Sequence, residues 1–184
     1  KLLGKASNPL IVCGGGAVDA GSELLEVAEA LQAPVISHRM GRGVVSDHHY
    51  LSHTLPVGHK LWPEVDVALV VGSRAQQQLQ VWGTDKALKV VRIDIDPTQM
   101  VRYGRPDVGI VADAGKALGA LIPAIGKHNK KRPSRQEDLE LRLRSLHRTA
   151  RQHRQAGTQC AGHYCRGTAA QGSRSREYPS HSGG

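Results

Sequence analysis

Short runs of β-branched and aliphatic residues, each stopped by glycine or aspartate and set apart by stretches with helical spacing, limit this chain to very few folds. Pro9-Leu10-Ile11-Val12-Cys13 closes on Gly14-Gly15-Gly16, and Pro34-Val35-Ile36-Ser37 leads to Met40-Gly41-Arg42-Gly43. Asp66 to Val71 stops at Gly72, Lys89 to Ile95 ends in acidic residues before Pro97, and Gly109-Ile110-Val111-Ala112 is a fifth, shorter run. Between the first two runs, Ser22 to Gln32 places Leu24, Leu25, Val27, Ala28 and Leu31 at helical spacing, and Ala114 to Ile125 forms a helix after the fifth. A long histidine-rich loop leads to a short helix near Trp62. Strands alternating with helices predict βαβ units and a parallel sheet covered on both faces, a three-layer Rossmann-like α/β domain.

The charge balance divides the chain in two. Residues 1–126 hold 12 basic against 12 acidic side chains and residues 127–184 hold 13 against 4, so the net charge of +9 lies wholly in the second part. From Ser134 a charged segment with Leu139, Leu141, Leu143 and Leu146 reads as an exposed linker helix, with Ser134 and Glu137 at capping-box spacing. After Leu146 there is no Leu, Ile, Val, Met, Phe or Trp. Such a segment cannot bury enough apolar surface to offset its ordering entropy, which predicts a disordered basic tail over 151–184. The expected organisation is a nucleotide-binding-type domain over 1–127, a linker helix over 128–150 and that tail.

Three cysteines, Cys13 in a strand and Cys160 and Cys165 in the tail, make no disulfide framework and suit a reducing, cytoplasmic setting. No apolar run is long enough to span a bilayer. The basic tail could neutralise nucleic-acid phosphates, but the chain has no Phe, two Trp and four Tyr, too few for a stacking platform, so nucleic acid is disfavoured.

Binding chemistry concentrates at the strand ends. Gly14, Gly15 and Gly16 could let backbone N–H groups approach a pyrophosphate, or could simply make a tight turn. The run lacks the last glycine of G-x-G-x-x-G, and about 20 residues further on, where an acidic ribose ligand would stand, are His38 and Arg39; a standard NAD site is disfavoured. Asp96, followed by Pro97 and Gln99, fits a helix N-cap. Asp94 has no such structural role in the sequence and is a candidate acceptor for a ribose hydroxyl. His48, His49, His53 and His59, and Cys160, His163 and Cys165, lack specific metal-ligand spacing; the loop histidines are read as solvated.

Taken in order, NPLIVCGGGAV, APVISHRMGRG, DVALVVGSR, KVVRIDIDP and DVGIVADA resemble the central domain of thiamine-diphosphate-dependent enzymes of the acetolactate synthase type, over roughly residues 5–127. The resemblance implies a Rossmann-like domain of about six parallel strands. In that family such a domain lies between a pyrimidine-binding and a diphosphate-binding domain, and in some members it holds FAD or ADP. Carried over, Gly14, Gly15 and Gly16 would face the dinucleotide, with Met40 and Gly41 lining the same groove. Gly72 and Arg74 match a Gly-x-Arg, Arg74 offering its fork to the pyrophosphate. Asp94 and Ile95 would grip the adenosine end, and Asp113 would close the last loop.

There are departures. Where flavin-using members read Phe-Asp-Asp-Arg after Gly-x-Arg, this chain has Ala75-Gln76-Gln77-Gln78, and a Gly-Met-His-Gly loop is replaced by Pro56-Val57-Gly58-His59. Thiamine diphosphate chemistry in the family also needs a Glu from the pyrimidine-binding domain and a Gly-Asp-Gly followed by Asn for Mg²⁺; no Gly-Asp-Gly occurs here. The expectation is therefore a scaffold for an adenine nucleotide, FAD or ADP, from an enzyme that ligates or decarboxylates 2-keto acids. The isolated chain would be inert, its neighbours would be the enzyme's other domains, and the full-length form would be a homo-oligomer. A tail out of frame with the parent enzyme is a further expectation. Two other readings of the residues are a free-standing nucleotide-binding or NAD-dependent deacylase-type domain, with His38 or His59 as base, and a basic nucleic-acid-binding protein.

Overall fold

The computed structural model describes residues 1–144 except 86, 130 and 131. Lys1–Leu143 form one compact unit; of the second, Arg144–Gly184, only Arg144 is described. The expected tail, with Cys160, His163 and Cys165, lies outside the described residues.

Six parallel strands, β1 (Pro9–Cys13), β2 (Val35–Ser37), β3 (Ser52–His53), β4 (Val67–Val71), β5 (Lys89–Asp94) and β6 (Val108–Val111), lie in the order β3-β2-β1-β4-β5-β6. The chain winds outward from β1 in one direction and then, from β4, in the other. That leaves a crevice beyond the C-terminal ends of β1 and β4 where the two halves part. Strands β1 and β4 are buried at every position, as expected for central strands covered on both faces.

Register fixes the layers. Val91, Leu69, Ile11 and Val35 are aligned across the sheet, as are Arg92, Val70, Val12 and Ile36. The helix α4 (Ala114–Gly126) meets the first row, with Leu121 and Ile125 beside Val91. The helix α3 (Leu55–Leu61) meets the second, where a Cβ on Gly58 would stand 2.8 Å from the Ile36 side chain. A third helix, α2 (Gly21–Leu31), buries Leu24, Val27, Ala28 and Leu31 and packs on α4. It ends on Gln32 in the left-handed conformation (φ 50°), whose N–H caps the last carbonyls. A short helical turn, α1 (Leu2–Lys5), precedes β1.

Three sequence expectations change here. Ser52–His53, within the histidine-rich loop, is a strand at the edge of the sheet, pairing with Val35 and Ile36. His53 is therefore not a solvated loop residue but 7% exposed, while His48 and His59 are exposed. Nor is the segment after 127 simply exposed: Leu139 on the helix that begins at 136 is 1% exposed, and Arg142 pairs with Glu64 at 2.8 Å. Ser134 Oγ accepts from the N–H of Gln136, so the Ser134–Glu137 capping box does not form as read.

Burial, and then the nearby Arg135, push the His53 imidazole down to about 4, and its Nε2 has no hydrogen-bond partner among the described residues. The folded state thus favours the neutral ring. This stabilisation is complete above the ordinary histidine value of 6.5 and is lost as pH falls from there toward 4. Over that window His53 should contribute roughly 3 kcal/mol of destabilisation. Urea unfolding at pH 7 and pH 4.5 should show a steeper loss for the wild-type chain than for His53→Leu; equal slopes would contradict the assignment.

Candidate functional site

All the residues singled out at strand ends come to the C-terminal edge of the sheet, and the two central turns interlock. Cys13 pairs with Val71, so the glycines that follow each strand lie side by side. Gly14 N–H donates to Val71 O and Gly16 N–H to Gly72 O, both at 3.1 Å. A Cβ on Gly14 would stand 2.5 Å from Gly72 O, and one on Gly16 2.8 Å from Gly72 Cα. Gly72 has φ 51°, and a Cβ there would meet Gly16 C at 2.4 Å. Gly14, Gly16 and Gly72 are thus glycines because two backbones touch. Gly41 packs beneath them, its Cβ direction blocked by Cys13 O at 2.9 Å. Gly15 is different: exposed like Gly16, it has no neighbouring backbone against it closer than Met40 O at 3.8 Å, and Met40 Cβ lies at 3.2 Å.

The glycine run does not open directly into an α-helix. Residues Gly15–Ala20 form a 3₁₀ helix, and α2 begins only at Gly21. A strong helix-dipole cradle is therefore not what this turn offers.

Two grooves meet along the rim. One, of about 420 Å³, lies over β4, β5 and β6 and is lined by Gly16, Arg74, Asp94, Ile95, Asp96 and Asp113 among others. The second, of about 810 Å³, lies over β2, β1 and β4 and includes Gly15, His38, Arg39, Met40, Arg74 and Val81. Gly72, Ser73 and Arg74 line both, so the turn after β4 is the wall the grooves share. Nine of the ten residues marked in the sequence line one groove or the other, and Gly41 supports the floor.

The two grooves differ in charge. The first sets Asp94, Asp96 and Asp113 against Arg74; the second has Arg39 and Arg74 and no carboxylate. The first therefore offers acceptors suited to hydroxyl and amine donors, and the second cations suited to phosphate. Met40 and Val81, each 74% exposed, stand at the mouth of the second, and Ile95, 71% exposed, at that of the first.

The three aspartates also hold backbone. Asp96 Oδ1 accepts from Thr98 N–H (2.8 Å) and Thr98 Oγ1 (2.7 Å), the N-cap expected, though the helix is one 3₁₀ turn, Pro97–Gln99. Gln99 Nε2 donates to the Asp96 carboxylate, and these contacts hold that carboxyl below its ordinary range. Asp94, read as having no structural task, accepts from Asp96 N–H at 3.1 Å. Asp113 caps α4 through Lys116 N–H at 3.1 Å. Each carboxylate is thereby fixed in place with lone pairs to spare.

Two residues of the site escaped the sequence reading. Gln78 is fully buried, its Oε1 2.9 Å from His38 Nε2 and its Nε2 without a hydrogen-bond partner among the described residues. Arg92 is 1% exposed and reaches under the turn shared by the grooves. A lone charge inside the aliphatic run of β5 was the available signal for it. Of the two histidines considered as bases, His38 lines the larger groove, whereas His59 stacks against Trp82 with ring centroids 5.2 Å apart.

Residues 1–121 match the family model described as thiamine pyrophosphate enzyme, central domain. The chain belongs to this family. It is 33% identical over 135 residues to an acetolactate synthase of Arthrospira platensis, covering 66% of the chain and 23% of the relative. Against a glyoxylate carboligase of Escherichia coli O157:H7 it is 34% identical over 162 residues, 79% of the chain and 27% of the relative. Against a pyruvate oxidase of Lactiplantibacillus plantarum it is 32% identical over 132 residues, 66% and 21%. The chain thus spans about a quarter of the length of these curated relatives. A central domain of this family, with its crevice between β1 and β4, is therefore what the glycine turns build.

Proposed function

We propose that this central domain holds an ADP moiety, free or as part of FAD, within a thiamine-diphosphate enzyme that ligates or decarboxylates 2-keto acids. The observation that carries the reading is the convergence of Gly15, Arg74 and Asp94 on one rim, with acidic and basic grooves meeting at Arg74. Asp94 and Asp113 would accept from the ribose and adenine donors, Arg74 and Arg39 would take the diphosphate, and exposed Gly15 would let it approach the backbone. The donor set fits: one groove supplies fixed acceptors, the other cations without competing carboxylates. ADP supplies no reaction of its own, so the task of these residues is to bind and orient.

Thiamine diphosphate and Mg²⁺ do not fit this chain. It has no Gly-Asp-Gly, and no metal-holding group of three His, Cys, Asp or Glu occurs among the described residues. We therefore assign keto-acid turnover to the whole enzyme and none to the isolated chain. Neighbouring domains, and a second copy in the full-length form, are the partners in this reading, and the cytoplasm its setting. No described helix is long and apolar enough to cross a membrane.

The purified chain should release an adenine nucleotide on denaturation, identified by mass spectrometry, with a flavin absorption band if the nucleotide is FAD. A chain that releases none and takes up neither ADP nor FAD when they are supplied contradicts the proposal.

A further inference from the structure

Arg92 stands mid-strand between Val91 and Ile93 with 1% of its surface exposed. A buried guanidinium loses its hydration, and a fold tolerates that only where acceptors or counter-charge replace it. Here the replacement is partial. Nη2 donates to Ser73 O at 3.0 Å and to Arg74 O at 2.6 Å, while Nε and Nη1 have no hydrogen-bond partner among the described residues. Both carbonyls belong to the turn that walls the two grooves. That turn runs from Gly72 at φ 51° to Ala75 at φ 47°. Ala75 carries a Cβ, so its left-handed conformation is strained and has to be held by its surroundings. Ser73 Oγ, accepting from Ala75 N–H at 3.2 Å, and the Arg92 guanidinium below are what hold it.

We propose that Arg92 is a concealed positioning residue for the diphosphate of a nucleotide in this groove: it pins the Gly72–Ala75 turn that presents Arg74, and it sets a second cation behind that turn. The inference rests on the nucleotide reading above. The guanidinium suits the task because its rigid plane aims the two N–H bonds of the single nitrogen Nη2 at the two carbonyls, which a freely rotating lysine ammonium does with less geometric definition. A fixed positive charge beneath a thin floor in a low-dielectric setting favours an anion above it. Adenosine, which carries no phosphate, should feel it only weakly, through the Asp94 carboxylate that the same guanidinium faces.

Calorimetric titration of the full 184-residue chain with ADP and with adenosine tests this, using wild type, Arg92→Met and Arg92→Lys. Arg92→Met should weaken ADP by about tenfold and adenosine by less than about twofold, with Arg92→Lys in between. Equal losses for the two ligands would reduce Arg92 to a structural residue and overturn the proposal, as would unchanged ADP affinity. Should Arg92→Met fail to fold, Arg92→Lys decides: ADP weakened by about threefold with adenosine unchanged supports the proposal, and wild-type ADP affinity overturns it. A wild-type chain that binds no ADP overturns the nucleotide reading and this inference together, whereas failure of Arg92 alone leaves wild-type binding intact.

Discussion

Gly72→Ala is expected to lower the unfolding free energy by about 3 kcal/mol, combining the left-handed strain of a Cβ-bearing residue with backbone overlap. The overlap is direct, because the new Cβ would lie 2.4 Å from Gly16 C and 2.7 Å from Ala17 N, backbone atoms that cannot rotate aside. Gly43 separates the two contributions: it has φ 87° with nothing within 4 Å of a Cβ, so Gly43→Ala should cost only about 1 kcal/mol. Gly119, inside α4 with open space around it, gives the opposite sign, and Gly119→Ala should stabilise by about 0.5–1 kcal/mol. Urea midpoints at constant m-value check all three. A Gly72→Ala loss no larger than that of Gly43→Ala would mean that the interlocked turns relax freely.

Arg74→Ala should weaken ADP binding by roughly tenfold to a hundredfold, the range for losing a charge-assisted hydrogen bond to an anion. Arg74 is exposed and lines both grooves, so its removal should leave stability nearly unchanged. Titration of wild type and variant with ADP, beside a urea melt of each, separates binding from folding. An unchanged ADP affinity would remove the diphosphate from the Arg74 turn.

The fold was legible where the physics is periodic. Runs such as DVALVV and KVVRIDI are long enough to show both burial and termination, whereas the glycines after β1 and β4 read as a ligand cradle or a tight turn and not as two backbones in contact. Strand β3 was not legible, because two residues carry no alternation and Ser52–His53 become a strand only by pairing with β2. The same pairing buries His53, a burial that no local pattern encodes. Asp96 could be read as a cap from Pro97 and Gln99, whereas the bond from Asp96 N–H to Asp94 depends on how the chain leaves β5. Arg92 and Gln78 were harder still, since a charged or amide side chain in a sequence reads as solvent-facing until the opposite layer is known. Leu139 likewise reads as part of a charged helix, and its burial follows from tertiary packing.

The most direct measurement is amide chemical-shift mapping of the chain as ADP is added. Saturable shifts confined to Gly15, Gly72–Ala75, Asp94–Asp96 and Asp113 are the expected result, marking one ligand along the rim. Shifts centred instead on a separate apolar groove, lined by Leu3, Val91, Leu121 and Ile125 away from the rim, or no saturable shifts at all, would contradict the account.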